Sequence, residues 1–391
     1  MESGVHVRIL RTLAEVEDIR QTWESWPGNR DSDIDFYLTV LRSCPETVRP
    51  HIVMIGRGGQ PDAMLVGRID DRQIDFRVGY LHLKSKARIL YFVYGALRGN
   101  PTAENSELLV REVCKSLSQG EADVAYLNFL RTDSHVYGFG RKIPGILTRD
   151  YVPATQLHFS RTIPKSADEF YQSLSSNARW QAKSKQKKLV KAFSGAVNVR
   201  CFREVGELDN LIQDVERVAK SSYQRGLGVG FVDSPEMRER LRLKAHKGWL
   251  RAYVLYVAQR PCAFWIGDLN GETFGSDYLA YDADLAKYSP GMYLILKVIE
   301  SFCSGNEDRV TEVDFATGHA QYKEVLGNRR WTESAVYIFA PSLRGFKLNA
   351  FKCFTGGIEQ VLRRTLDETG LLQMIKKRWR DRLRQKTSGE D

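Results

Sequence analysis

The sequence predicts a mixed α/β fold in two tandem domains, each a mostly antiparallel twisted sheet flanked by helices. Three observations carry this. The chain has 391 residues, and ordinary domains take roughly 100–200 residues each. Hydrophobic residues make up 42% of it, which suits globular cores rather than a disordered chain. Two successive blocks also share one order of elements: helices, an antiparallel meander, a helix, a strand, a helix, a strand. No residue-level repeat accompanies that order. The expected division is 1–161, 162–341 and a basic helical appendage, 342–391.

In the first block, Val5–Leu10 alternates like a strand. Leu13–Trp23 and Ile34–Leu41 have helical spacing. His51–Gly56 and Ala63–Ile69 are apolar β-rich runs on either side of Gly58-Gly-Gln-Pro61, which predicts a hairpin. Tyr80–Leu83 and Ile89–Tyr94 are further strands, Glu104–Leu117 is a helix, and Val124–Phe129 is a strand.

The second block opens at Ser166, which with Glu169 forms a capping box. Phe170, Leu174, Ala178 and Ala182 follow at four-residue spacing, predicting one helix with an apolar face. The rest of that segment is basic: Arg179, Lys183, Lys185, Lys187, Lys188 and Lys191. A helix over Glu207–Lys220 and a glycine-rich loop over Arg225–Gly230 come next. Leu250–Ala258, Cys262–Leu269 and Glu272–Tyr281 read as a three-strand meander. Asn270-Gly271 is its hairpin signal. Ser289-Pro-Gly291 then starts a helix over Met292–Phe302. It is followed by a strand Val310–Phe315, a helix His319–Leu326 and a strand Ser334–Phe339.

Composition narrows the partners. The net charge is +10, which favours polyanions: tRNA, nucleotide phosphates or an anionic membrane surface. Cys44, Cys114, Cys201, Cys262, Cys303 and Cys353 match no metal or redox spacing. Buried free thiols and a reducing cytosolic location are therefore expected, with no metal. No secretory signal core is evident, and no apolar run reaches the ~18 residues of a spanning helix. In the appendage, Leu371, Ile375, Trp379 and Leu383 form an apolar stripe among seven cations. Residues 371–386 thus read as an interfacial segment, or as a stripe docked on the protein itself.

Several residues suit chemistry. Pro290 fits a first helical turn, and Gly291 allows close backbone approach, so an anion such as a pyrophosphate suits this helix start. An ordinary proline-started helix is the plain alternative. Asp314 and Lys323 are expected to pair, for structure or for orienting a substrate. His319 has an imidazole suited to proton transfer near neutrality, or is a helix cap. Arg179 and Lys183 are candidate phosphate contacts. Tyr223, Arg225 and Tyr281 are candidate substrate contacts beside the glycine-rich loop and the helix start. No G-x-S-x-G elbow, H-E-x-x-H pair or Walker loop is present.

The basic segment Ser175–Lys183, the pair Tyr281-Asp282 before Ser289-Pro-Gly291, and Val313-Asp-Phe-Ala-Thr-Gly318 followed by Tyr322-Lys323 resemble a family. It is the bacterial GNAT-like acyltransferases of cellulose and exopolysaccharide biosynthesis, related to the tandem-GNAT Fem-type aminoacyltransferases. The resemblance covers about Ser166–Phe339 and reaches the first block only in architecture, as a degenerate GNAT-like domain. It implies direct acyl transfer from acyl-CoA, as acetyl-CoA, to an amine or hydroxyl of a sugar or envelope precursor. Ser289, Pro290, Gly291, Met292, Tyr293, Phe315 and Ala316 would line the donor's path. Tyr322 would be the acid for the leaving thiolate, or a packing tyrosine, and Asp277 a base or a solvent-facing residue. The sequence lacks the usual Gln/Arg-x-x-Gly-x-Gly/Ala phosphate loop of GNAT enzymes. Acyl carrier protein and aminoacyl-tRNA therefore stay open as donors, as does a non-catalytic GNAT-fold binding protein.

Overall fold

The computed structural model describes residues 4–78, 81–222, 225, 230–305 and 308–368. Tyr223, most of the glycine-rich loop and the stripe from Leu371 lie outside the described residues. Contacts divide the chain into two units: one runs to Gln156 and resumes at Thr332, the other is Leu157–Trp331.

The first unit holds β1 (Val5–Leu10), α1 (Leu13–Asp18), α2 (Arg20–Ser25), α3 (Ile34–Ser43), β2 (Thr47–Pro50) and β3 (Ile52–Arg57). It continues with β4 (Gln60–Val78), β5 (Leu81–Gly99), α4 (Ala103–Ser118), β6 (Val124–Arg131) and α5 (His135–Lys142). Its sheet runs β1-β3-β4-β5-β6, with β2 beside β4. All neighbours are antiparallel except β5 and β6, which pair in parallel from Ile89↔Val124. A parallel pair needs a crossover, and α4 supplies it. Trp23, Tyr37, Leu109 and Val110 are fully buried in the main core.

The second unit holds β7 (Ala154–Thr162), α6 (Ala167–Ser173), α7 (Ser176–Ala192), β8 (Val197–Phe202), α8 (Leu208–Lys220) and α9 (Pro235–His246). Then come β9 (Leu250–Val257), β10 (Arg260–Asn270), β11 (Thr273–Tyr281), α10 (Pro290–Ser304), β12 (Glu312–Thr317) and α11 (Gln321–Leu326). Its sheet runs β8-β9-β10-β11-β12-β7; among the described residues β11 and β12 are its one parallel pair, and α10 is the crossover. Strand β10 is buried along most of its length because both faces are covered. One core joins Tyr253, Trp265 and Phe274 to α6, α7 and α10. Another joins Val254, Phe264 and Ile266 to α8 and α9.

Each unit is thus a mostly antiparallel sheet flanked by helices, as expected, and the two share one strand order. The closing strands depart from chain order. The strand after α11 is β13 (Arg329–Phe339), and it pairs antiparallel with β6 of the first unit, Phe339 opposite Val124. The strand after α5 is β7, and it pairs with β12 of the second unit, Val313 opposite Arg161. Ser334–Phe339, expected to end the second module, therefore completes the first sheet. Alternation marks a strand but leaves its partner open. The last described helix, α12 (Leu343–Glu368), follows β13 and contacts β4.

Smaller differences have local causes. The helix expected from Ser166 breaks at Leu174. Ser175 then caps a new helix by accepting from Ala178 N–H at 3.3 Å. The strands expected at Tyr80–Leu83 and Ile89–Tyr94 fall, from Leu81 on, in one long β5 that pairs with β4 continuously from Leu81 to Phe92 and then shifts register opposite Leu65–Gly67; Tyr80 lies outside the described residues. Helices α5 and α9 and strands β7 and β8 add to the expected set. All six cysteines are free. Cys262 and Cys303 are buried, and the rest are half-buried.

Candidate active site

Strands β11 and β12 stay together only briefly. Thr273, Phe274 and Gly275 pair with Glu312, Val313 and Asp314, and the ladder then ends. Past that point the β12–β7 register shifts between Asp314 and Thr317. Ala316 sits in the left-handed region at φ 59°, an uncommon conformation for a residue with a Cβ. The bulge turns β12 away from β11 and opens a gap between them.

Side chains hold this bulge. Asp314 Oδ1 accepts the Ala316 N–H at 2.7 Å and lies 2.5 Å from His158 Nε2. His158 is buried and stacks on Trp331, ring centroids 4.2 Å apart. From the following helix, Lys323 Nζ donates to the carbonyls of Ala316 at 3.2 Å and Thr317 at 2.6 Å. Burial pushes the Lys323 pKa down to about 8, with Asp314 opposing part of the shift. The expected Asp314–Lys323 ion pair thus takes another form. Both residues grip the same stretch of backbone, one through its N–H and the other through its carbonyls.

The start of α10 faces the gap. Asp282 accepts from Asp284 N–H in the turn before it, and Arg260 holds Asp282 at 2.8 Å. Ser289 is left-handed at φ 55° and makes no side-chain cap, and Pro290 occupies the first turn. The N–H groups of Gly291 and Met292 fall in the turn that a helix cannot pair internally. Gly291 sits close to a neighbouring ring: a Cβ there would lie 3.1 Å from Tyr281 Cδ1, so Tyr281 would have to give by a few tenths of an ångström. A cavity of about 440 Å³ opens beside this turn. It is lined by Tyr281, Ser289, Gly291, Met292, His319 and Tyr322, with Lys185 and Ser222 among its other walls. An uncapped helix start with a lysine across the cavity is suited to a phosphate group.

Tyr322 reaches the cavity from α11. Its ring meets Phe315 edge-on at 5.8 Å, and Phe315 in turn stacks on Trp265 at 6.2 Å. The phenol is thereby fixed where β11 and β12 part. His319 is exposed and lies 3.2 Å from Glu324 through Nδ1.

The other expected residues lie apart from this cavity. Pro290 and Tyr293 are buried, and Tyr293 lines a groove with Lys297. Arg179 and Lys183 line a surface of α7 with Trp180 and Lys187. The Arg179 guanidinium donates to the Gln172 carbonyl at 2.9 Å, closing the break between α6 and α7. Arg225 forks onto Glu216 and the Phe231 carbonyl. Asp277 bulges out of β11 opposite Ile266 and Gly267. Its carboxylate is held at 2.5 Å by Lys244, which also binds Asp268 at 2.8 Å. Burial alone would lower the Lys244 pKa, but the two carboxylates outweigh it and raise the value above that of an ordinary lysine.

Sequence reasoning passed over Lys185 as a site residue, along with Ser222 and His158. Lys185 is one of six cations on α7, and only the helix's orientation selects it. His158 becomes significant only through the long-range pairing of β7 with β12.

Residues 176–324 match the family described as acetyltransferase (GNAT) domain. No curated protein matches the chain. Among solved structures it resembles FemX, at 11% identity over 82% of this chain and 95% of that one, with a TM-score of 0.48. It also resembles the C-terminal domain of a putative lysylphosphatidylglycerol synthetase from Agrobacterium fabrum. That match has 10% identity over 87% and 96% of the two chains and a TM-score of 0.48. A probable N-acyltransferase from Enterococcus faecalis V583 matches at 12% identity over 86% and 73%, with a TM-score of 0.42.

Proposed function

We propose that this chain, whose residues 176–324 are a GNAT acyltransferase domain, moves an acyl group from acyl-CoA to an amine or hydroxyl of a sugar or cell-envelope precursor. The observation that carries the reading is the uncapped turn Ser289–Met292 opening into a cavity that reaches Tyr322. The donor's diphosphate would accept from the Gly291 and Met292 N–H groups and meet Lys185. Its pantetheine arm would run along the gap where β12 leaves β11. In transfer, the acceptor's nitrogen or oxygen bonds to the thioester carbon and the C–S bond breaks. A base takes the acceptor's proton, and the Tyr322 phenol protonates the departing sulfur. His319, exposed at the rim, suits the base.

The first unit would serve as scaffold. Its corresponding helix, α4, is capped at the start: Thr102 accepts from Asn105 N–H at 3.2 Å, with Glu104 in the first turn. An acidic, capped turn disfavours a phosphate.

Titration calorimetry with acetyl-CoA and longer acyl-CoAs tests the reading, followed by thiol release with a panel of amino sugars and polyols. Micromolar donor binding and acceptor-dependent thiol release are expected. Absence of both would sink it. A second reading, an aminoacyl-tRNA donor, is favoured by the surface of α7. Trp180 is 69% exposed there beside Lys183 and Lys187. It predicts that RNase removes activity, whereas the first reading predicts none of it is lost.

A further inference from the structure

The first unit carries nine exposed large hydrophobic side chains among its described residues, and six lie on α12 or on the loop hooked to it: Ile146, Leu147, Tyr151, Leu343, Phe351 and Phe354. The hook is polar. Asn349 Nδ2 donates to the carbonyls of Leu147 at 2.9 Å and Arg149 at 3.0 Å, and Lys352 Nζ donates to Asp150 at 2.7 Å. Leu348 and Thr355 are buried on the same side of the helix, which fixes its inner face. At 3.6 residues per turn, the opposite side presents Leu343, Lys347, Ala350 and Phe354 in one row. Leu343 is 79% exposed and Phe354 65%. A helix anchored by hydrogen bonds on one side therefore shows an apolar stripe to the outside on the other.

We propose that this outer face of α12 seats the protein on an anionic lipid bilayer, lying in the plane of the interface. Charge selects this occupant. Lys347 stands within the stripe, and the sequence after α12 places seven Lys or Arg between Lys376 and Lys386 against the single acid Asp381. A second copy seated by two-fold symmetry would bring Lys347 against its own equivalent. A bilayer with acidic headgroups meets these cations with opposite charge, while Leu343 and Phe354 enter the acyl boundary. No helix among the described residues is long and apolar enough to cross a membrane, so the contact is interfacial. The proposal is independent of the acyl donor and would place the active domain beside acceptors held at a membrane.

The test floats the full chain with vesicles of phosphatidylcholine, with and without phosphatidylglycerol. The variants are Leu343→Glu with Phe354→Glu, and separately glutamines at Lys376, Lys377 and Arg378. Wild type should float with the anionic vesicles only, and less so at high salt. The double glutamate variant should lose at least about tenfold in partition while keeping its circular dichroism and melting temperature, because both side chains are exposed. The glutamine variant should lose affinity as well. Three results overturn the proposal: no flotation of wild type with acidic vesicles; flotation of the double variant equal to wild type, which assigns binding to the cations alone; or sedimentation showing a wild-type dimer that the double variant dissociates without any vesicle binding.

Discussion

Asp314 and His158 are joined at 2.5 Å between carboxylate and imidazole, and the same carboxylate oxygen accepts the Ala316 N–H. One side chain therefore ties β7 to the bulge at which β12 leaves β11. That bulge shapes the gap assigned to the donor. Asp314→Ala removes both bonds and leaves a buried imidazole, which should cost about 1–3 kcal/mol of stability. It should also weaken acetyl-CoA binding about tenfold as the strand relaxes. Urea unfolding and calorimetry measure the two effects separately. A destabilised variant with wild-type donor affinity would show that the bulge does not set the gap.

Tyr322 touches the cavity and is held edge-on by Phe315. Tyr322→Phe keeps that packing and removes only the hydroxyl. If the phenol protonates the leaving thiolate, kcat should fall by roughly 10²–10⁴-fold with little change in KM. An unchanged kcat would reduce Tyr322 to a packing residue.

Gly291 has a Tyr281 ring atom 3.1 Å from where its Cβ would stand. Gly291→Ala should press on Tyr281 and crowd the turn proposed to hold the donor's diphosphate. The expected result is a rise in KM for acyl-CoA of about tenfold, roughly 1.4 kcal/mol, with kcat retained. Steady-state kinetics with varied donor would decide it, and loss of kcat alone would contradict the assignment.

Lys323 gives a pH signature. Its pKa falls from 10.5 in the unfolded chain to about 8 when folded, so the unfolded state binds more protons between those values. Stability should therefore rise with pH across that window, by up to about 3 kcal/mol, and be lowest below pH 8 where both states are charged. Lys323→Met should abolish that rise. The difference between wild-type and variant unfolding curves from pH 7 to pH 10 isolates it from other titrations.

Asp277 is bound to Lys244, which also holds Asp268. This arrangement suits architecture better than proton transfer. Asp277→Asn should lower the melting temperature and leave kcat within about twofold of wild type. Lys244→Met, which leaves two carboxylates facing each other, should cost about 3–5 kcal/mol. A collapse of kcat in Asp277→Asn at constant stability would restore Asp277 as a base.

Local chemistry made much of this legible in the sequence. Asn270-Gly271 fixed a hairpin, Ser166 a helix start, and Pro290 with Gly291 the turn at the cavity, because each depends on neighbours within a few residues. Hydrophobic period distinguished helix from strand along most of both units. Period could not say that β13 joins β6 or that β7 joins β12, since a strand's edge bonds to any backbone that tertiary packing brings to it. For the same reason His158 became part of the site only through pairing across more than 150 residues. The partner of Asp277, Lys244 on a distant helix, was likewise invisible to local pattern. Of the α7 cations, Lys185 alone lines the cavity beside Gly291 and Tyr322. Backbone propensity is written residue by residue. The geometry of this site depends on which distant side chains meet, and only burial of the two sheets decided that.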